Sequence, residues 1–227
     1  VARRGKKKPH PKDRATHTWP RHPDDWYVEE HWVSSRFFEL TKVTGPVLDP
    51  ACGFGRVVRS ALEAGISARG SDIKPRWQLA PRVGDGHRAS HEKFYAVCDF
   101  LNGHWPPKRG IWSDPATVMT NVPFRRVLPF YEAAIARAET VIFLLPFTWQ
   151  CGAGISAWLE TTPLARVYPI GPRASMPPGD YLLAGHKPQG GRADHAWFEW
   201  RNGVKPVARG GRRPEIIGLR REAGAAS

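Results

Sequence analysis

The stretch Val47-Leu48-Asp49-Pro50-Ala51-Cys52-Gly53-Phe54-Gly55 constrains the fold of this chain more than any other. An apolar run ends in an acid, and two glycines spaced one apart follow. Arg56-Val57-Val58-Arg59-Ser60-Ala61-Leu62 then carries apolar residues at helical intervals until Gly65 offers a cap. The pattern predicts a strand, a tight turn and a helix. Glycines at 53 and 55 let the backbone take positive φ and approach a ligand closely, while the first amides of the helix lie exposed at its N-terminus. Such a loop suits a nucleotide-like molecule.

Two further strands end in the same way. Ile66–Ile73 reads as a strand finishing on Asp72, which lies 19 positions after Gly53, close to the interval at which an acid reaches the ribose of a bound nucleotide. A nicotinamide site fits less well, because the third glycine of GxGxxG falls on Val58. Phe94–Leu101 is a third apolar run, with Asp99 near its end. In an open parallel sheet the C-terminal ends of the strands line the ligand crevice. Acids at 49, 72 and 99 favour a cationic, adenosine-bearing ligand over a pyrophosphate.

Composition limits the remainder. A chain of 227 residues with 41% hydrophobic content can bury one sizeable core. Cys52, Cys98 and Cys151 form no CxxC pair, so neither a disulfide framework nor a zinc knuckle is indicated, and a reducing cytoplasm is expected. No apolar run has the length of a membrane span, and no apolar signal region precedes the basic start. A chain beginning on Val1 leaves its natural start open. His87 and His91 are four apart but lack an evident third ligand, so no metal is expected. The net charge of +13 is concentrated at Arg3, Arg4, Lys6, Lys7, Lys8, Lys12 and Arg14, and again from Arg201 to Arg221. Two basic ends on a compact domain fit a polyanion such as DNA or RNA.

Val33, Phe37 and Leu40 mark one amphipathic helix, and Leu128, Tyr131, Ile135 and Ala138 another. Strands are expected at 118–121, 140–146, 164–170 and 193–200, the last half-exposed because Ala196, Phe198 and Trp200 alternate with Trp197 and Glu199. Residues 171–192 lack a convincing period and read as a long functional loop.

Asn121-Val122-Pro123-Phe124 follows the fourth strand. With Asp-Pro-Ala-Cys-Gly-Phe-Gly before it and Asp24-Asp25-Trp26-Tyr27-Val28-Glu29 upstream, the chain resembles the S-adenosylmethionine-dependent amino-methyltransferases of nucleic acids, specifically small phage-type N6-adenine DNA methyltransferases. The resemblance spans most of 24–203 and includes Leu144-Leu145-Pro146, residues 173–179 and His195–Trp200. It implies an α/β, Rossmann-like class I methyltransferase fold of about seven mostly parallel strands with helices on both faces. Residues 1–23 would be a basic disordered arm, 24–203 the methyltransferase domain and 204–227 a basic tail.

By the same resemblance the cofactor is S-adenosylmethionine. Gly53 and Gly55 would lie around its methionine part, Asp72 on the ribose and Asp99 near the adenine amine. Asp49 would order the loop or meet the methionine amino group. Pro50, Ala51, Cys52, Ile73, Phe100, Trp26 and Tyr27 complete the expected cofactor set. Asn121 and the carbonyl of Val122 would accept the hydrogens of the target amine, with Pro123 shaping the turn and Phe124 stacking on a flipped base. Arg125, Arg173 and Lys187 are candidate nucleic-acid contacts. The expected partner is DNA, double-stranded, in a bacterial cytoplasm or a phage-infected one; monomer and dimer are both open. The family tetrad is Asn-Pro-Pro-aromatic, and Val122 stands at its first proline. Methylation of another amine or amide (N4-cytosine, RNA, protein glutamine) and a DNA-binding relic are the alternatives. None of the three cysteines follows a proline, as the nucleophile for cytosine C5 methylation would.

Overall fold

The computed structural model describes residues 22–80, 92–103 and 114–221. The expectations for residues 1–21, for His87 and His91 and for the last six residues lie outside these. In chain order the helices and strands are α1 (His31–Leu40), β1 (Val47–Asp49), α2 (Arg56–Glu63), β2 (Ala68–Asp72), β3 (Tyr95–Val97), β4 (Thr117–Thr120) and α3 (Val127–Ile135), followed by β5 (Thr140–Pro146), α4 (Ala153–Glu160), β6 (Leu164–Gly171), α5 (Gly179–Leu183), β7 (His195–Arg201), β8 (Glu215–Ile216) and β9 (Leu219–Arg220).

The strands form one mixed sheet in the order β3-β2-β1-β4-β5-β7-β6-β8, with β9 also paired to β6. β1 pairs in parallel with both β2 and β4, and β4 with β5; β7 runs antiparallel between β5 and β6. The chain moves one way from β1 to β2 and β3, then returns to the other side of β1 for β4. That reversal opens a crevice at the C-terminal ends of β1 and β4, where open α/β sheets bind ligands.

Period-two alternation divides the core between the two faces. Val47, Met119, Ile142, Leu144 and Trp197 pack with Val33 and Phe37 of α1 and with Val57, Val58 and Ala61 of α2. Leu48, Val118, Val141, Phe143, Phe198 and Trp200 pack with Phe130, Tyr131 and Ala134 of α3 and Leu159 of α4. Truncating a buried aromatic such as Trp197 or Trp200 would cost about 3–5 kcal/mol.

Several expectations are corrected by this packing. β7 is not half-exposed: it lies inside the sheet with helices on both sides, so Trp197 and Glu199 are as buried as Phe198. Glu199 is accommodated because the Tyr168 hydroxyl donates to it at 2.6 Å and Arg166 and Arg201 supply charge. Val33, Phe37, Tyr131 and Ala138 are buried as expected, but Leu40 and Leu128 face solvent, and Trp32 and Phe38 of α1 and Val127 and Phe130 of α3 join the buried faces. β3 is only three residues long, so Asp99 sits in the turn beyond it. Residues 171–192 contain α5, and residues 215–220, within the expected basic tail, add β8 and β9 to the sheet. Leu219 is buried there against the α1 side of the core.

Candidate active site and cofactor cavity

A cavity of about 320 Å³ opens at the crevice between β1 and β4. Its walls come from residues 23–29, the glycine loop, the ends of β2 and β4, and the turn after β3. Gly53 and Gly55 both take positive φ, +48° and +77°, and Gly55 caps α2 in the left-handed region. Asp49 accepts the Ala51 amide at 3.2 Å and Asp72 accepts the Gly53 amide at 3.0 Å, so the first two strand-end acids hold the loop in shape. Gly55 itself faces Tyr95: a Cβ there would lie 2.3 Å from the phenol oxygen, so this glycine serves close packing and not the cavity wall.

Asp72 has more partners than the sequence indicated. Besides Gly53 it accepts the Lys74 amide at 3.1 Å and the Arg76 guanidinium at 2.9 Å. Arg76 also pairs with Asp24 and lies 4.7 Å over the Trp26 ring. Trp26 is buried, packs edge-on against Phe54 at 5.2 Å, and closes the cavity beneath the glycine loop. Asp99 accepts the Leu101 and Asn102 amides of its own turn at 3.1 and 3.3 Å, and Phe100 stacks on Phe130 at 5.2 Å. Pro50, Ala51, Cys52 and Ile73 line the same cavity. Burial pushes the carboxyls of Asp49, Asp72 and Glu29 above their ordinary values; Arg76 opposes this at Asp72. Asp24, Asp25 and Asp99 join these acids in the wall and together they outnumber its arginines, Arg56, Arg76, Arg125 and Arg126, a balance suited to a positively charged ligand.

At the end of β4, Asn121 lies within the cavity wall. Its amide nitrogen donates to the Tyr27 carbonyl at 3.1 Å and to Glu29 Oε2 at 2.9 Å. The Tyr27 carbonyl can only accept, so the nitrogen must face it, and its second hydrogen then points at Glu29. Pro123 lines the cavity as well, whereas the Val122 side chain is fully buried in the α3 side of the core. Phe124 is half-buried outside the cavity lining, its ring nearly parallel to Tyr27 at 6.4 Å and inclined 30° to His195 at the same distance. Asp25 accepts the Arg125 amide at 3.1 Å, fixing the turn after Phe124.

The segment 25–29 therefore holds Asn121 through the Tyr27 carbonyl and Glu29, and the residue after the tetrad, Arg125, through Asp25. It is held from the other side by residues 177–179, where Val28 donates to the Pro177 carbonyl at 2.9 Å and Gly179 to the Trp26 carbonyl at 3.2 Å. Glu29, Asp25, Arg56 and Arg76 were not among the residues singled out in the sequence. Glu29 and Asp25 stand in the quoted upstream motif, but no periodicity assigns them a partner about a hundred residues away. Among the expected nucleic-acid contacts, Arg125 lines the cavity, Arg173 is exposed and paired with Asp194 at 2.7 Å, and Lys187 is exposed. Among the described residues no group of three or more His, Cys, Asp or Glu could hold a metal, and no helix is long and apolar enough to cross a membrane.

No protein-family model matches the chain, and no curated protein sequence does. Solved structures match its fold. The crystal structure of a provisionally assigned RNA methyltransferase from Pyrococcus horikoshii superposes with a TM-score of 0.52 at 13% identity, covering 75% of this chain and 81% of that one. The 23S rRNA methyltransferase ErmE gives 0.49 at 15% identity over 80% and 71% of the two chains. A type I restriction-modification methyltransferase subunit from Streptococcus thermophilus gives 0.49 at 11% over 79% and 45%. With its strand order, its antiparallel β7 and its crevice at the β1–β4 reversal, the chain has the Rossmann-like class I methyltransferase fold.

Proposed function

We propose that this chain transfers the methyl group of S-adenosylmethionine to the exocyclic N6 amine of adenine in DNA. The observation that carries the reading is the orientation of Asn121. With its nitrogen committed to Tyr27 and Glu29, its oxygen is left to accept a hydrogen from an incoming amine. An exocyclic amine on a heteroaromatic ring is a weak nucleophile because its lone pair is delocalised. Acceptors on its hydrogens, Asn121 Oδ1 and the Val122 carbonyl, localise that pair on nitrogen. S-adenosylmethionine supplies a methyl carbon on a sulfonium: the N–C bond forms from the amine pair, the C–S pair stays on sulfur, and one amine proton leaves to solvent.

The residues around the cavity fit such a cofactor. Gly53 keeps the loop close, since a Cβ there would lie 3.0 Å from Trp26 Nε1, and Asp49, Glu29 and Asp99 offer negative charge to a cation. Phe124 would stack on the flipped base, recovering about 1–3 kcal/mol of a flipping cost of a few kcal/mol. Arg125, Arg173, Lys187 and the basic ends would meet phosphates. DNA is favoured over RNA by the motif resemblance; RNA, the substrate class named for the Pyrococcus protein, is the first alternative, followed by N4-cytosine and protein glutamine. A second reading, a domain that binds without turnover, rests on Val122. Pro123 still biases residue 122 toward an extended backbone, so the carbonyl remains usable in the first reading.

The test uses purified protein, unmethylated double-stranded DNA and methyl-labelled S-adenosylmethionine, with digestion to nucleosides. Labelled N6-methyladenine is expected from the wild type and at least 100-fold less from Asn121→Ala. Label from Val122→Pro alone would establish the binding-only reading for the natural chain. Label in RNA, in N4-methylcytosine or in protein would replace adenine in DNA as the target.

A further inference from the structure

We infer that Glu29 is a positioning residue for the transfer step, a carboxylate that fixes the Asn121 amide and by its charge makes the amide oxygen a stronger acceptor for the target amine. The inference rests on the methyl-transfer reading and adds a residue outside the Asn-Val-Pro-Phe tetrad.

Orientation alone does not require a charge at this place. The Tyr27 carbonyl already accepts one Asn121 hydrogen, and a neutral glutamine oxygen could accept the other. Glu29 is nonetheless an acid that is only 5% exposed. Its oxygens meet Asn121 Nδ2 at 2.9 Å and Ser34 Oγ at 3.4 Å, and among the described residues no Lys or Arg forms an ion pair with it. Placing a carboxylate there costs more than placing an amide. The surrounding charges are mixed: Arg56 attracts it, and Asp49 at the end of β1 repels it.

The charge acts through the planar amide. A carboxylate on the N–H side draws the amide's electron density toward its oxygen, and hydrogen bonds in such a chain reinforce one another. When the amine attacks, its nitrogen turns cationic and its hydrogens more acidic. The more negative Asn121 oxygen therefore binds the transition state more tightly than the ground state, which raises kcat and leaves substrate binding alone.

The experiment compares wild type with Glu29→Gln, which keeps the shape and removes the charge, and with Glu29→Ala. Steady-state methylation is measured beside S-adenosylhomocysteine affinity by calorimetry and the side-chain amide signals of ¹⁵N-labelled Asn121. Glu29→Gln is expected to lower kcat about 10–100-fold, with KM for DNA and the Kd changed less than about threefold, and Glu29→Ala to lower kcat further. An unchanged kcat in Glu29→Gln, or a Kd that weakens in step with kcat, would overturn the charge role. If the wild type methylates nothing, the Asn121 signals still decide the pairing: movement in Glu29→Gln keeps it and removes the methyl-transfer reading, and signals that stay in place overturn the pairing itself.

Discussion

At the scale of single residues, burial around the tetrad sets a stability term that can be read against pH. His195 stacks on Phe124, is 8% exposed, and has its pKa lowered from 6.5 to about 4 by desolvation. The unfolded chain therefore binds the proton first. The folded state carries no penalty from this ring above about pH 6.5, loses stability as pH falls from there toward 4, and loses no more below. The loss between pH 6.5 and 5 should be about 2 kcal/mol. Asp49 and Glu29 act in the opposite sense, because their raised values let the folded state take up protons before the unfolded one. The ring is isolated by comparing wild type with His195→Phe in urea at each pH. The variant should keep the stack and lack this part of the acid sensitivity, and two parallel curves would assign the loss to other groups.

At the scale of elements, the strand, loop and helix from 47 to 62 were legible because each part follows from local chemistry: an apolar run, glycines that take positive φ, and a helical period. The tetrad at 121–124 was legible by its resemblance, and its place at the end of β4 follows from strand length. Apart from Trp26 and Tyr27, which the resemblance put in the cofactor set and which line the cavity, the roles of residues 22–30 were not legible, because these residues have no period and their roles arise from contacts with Asp72, Asn121, Arg125 and residues 177–179. The same limit hid the burial of both faces of β7, since alternation in one strand does not tell how many layers cover it. The short helix α5 depends on this irregular segment. A Cβ on Gly179 would lie 2.2 Å from the Trp26 ring, and the ring also carries Arg76 and closes the cavity. Gly179→Ala should therefore cost about 1–3 kcal/mol by overpacking and weaken S-adenosylhomocysteine binding, whereas Gly190→Ala, with nothing within 4 Å of its Cβ, should change neither. Calorimetry and urea titration of the pair check this; normal binding in Gly179→Ala would show that the Trp26 wall does not shape the cofactor site.

At the scale of the whole molecule, acids outnumber bases around the cavity and bases crowd the two ends of the chain, the distribution that the proposed cationic cofactor and polyanion require. The ends differ in what they do for the fold. Residues 214–221 include β8 and β9, and Leu219 is buried against the α1 side of the core, so cutting the chain after residue 213 removes sheet pairing and an apolar side chain together. Loss of a buried leucine side chain alone costs about 2–5 kcal/mol, and this truncation should lower the urea midpoint as well as DNA affinity. Residues 1–21 carry the seven bases from Arg3 to Arg14, Arg21 and one acid, Asp13, with few apolar side chains to contribute to a core. Their deletion should leave the urea midpoint in place and weaken DNA binding only by giving up bases that neutralise phosphates. Each phosphate no longer neutralised reduces the slope of log K against log salt by about 0.9. A deletion that leaves about four phosphates unneutralised should then flatten the slope by about 3.6, with kcat at saturating DNA unchanged. Fluorescence anisotropy between low and moderate salt measures the slope. An unaltered slope would mean that the bases of the N-terminal segment do not touch the duplex, and the polyanion would then be held by Arg125 at the cavity and the exposed Arg173 and Lys187.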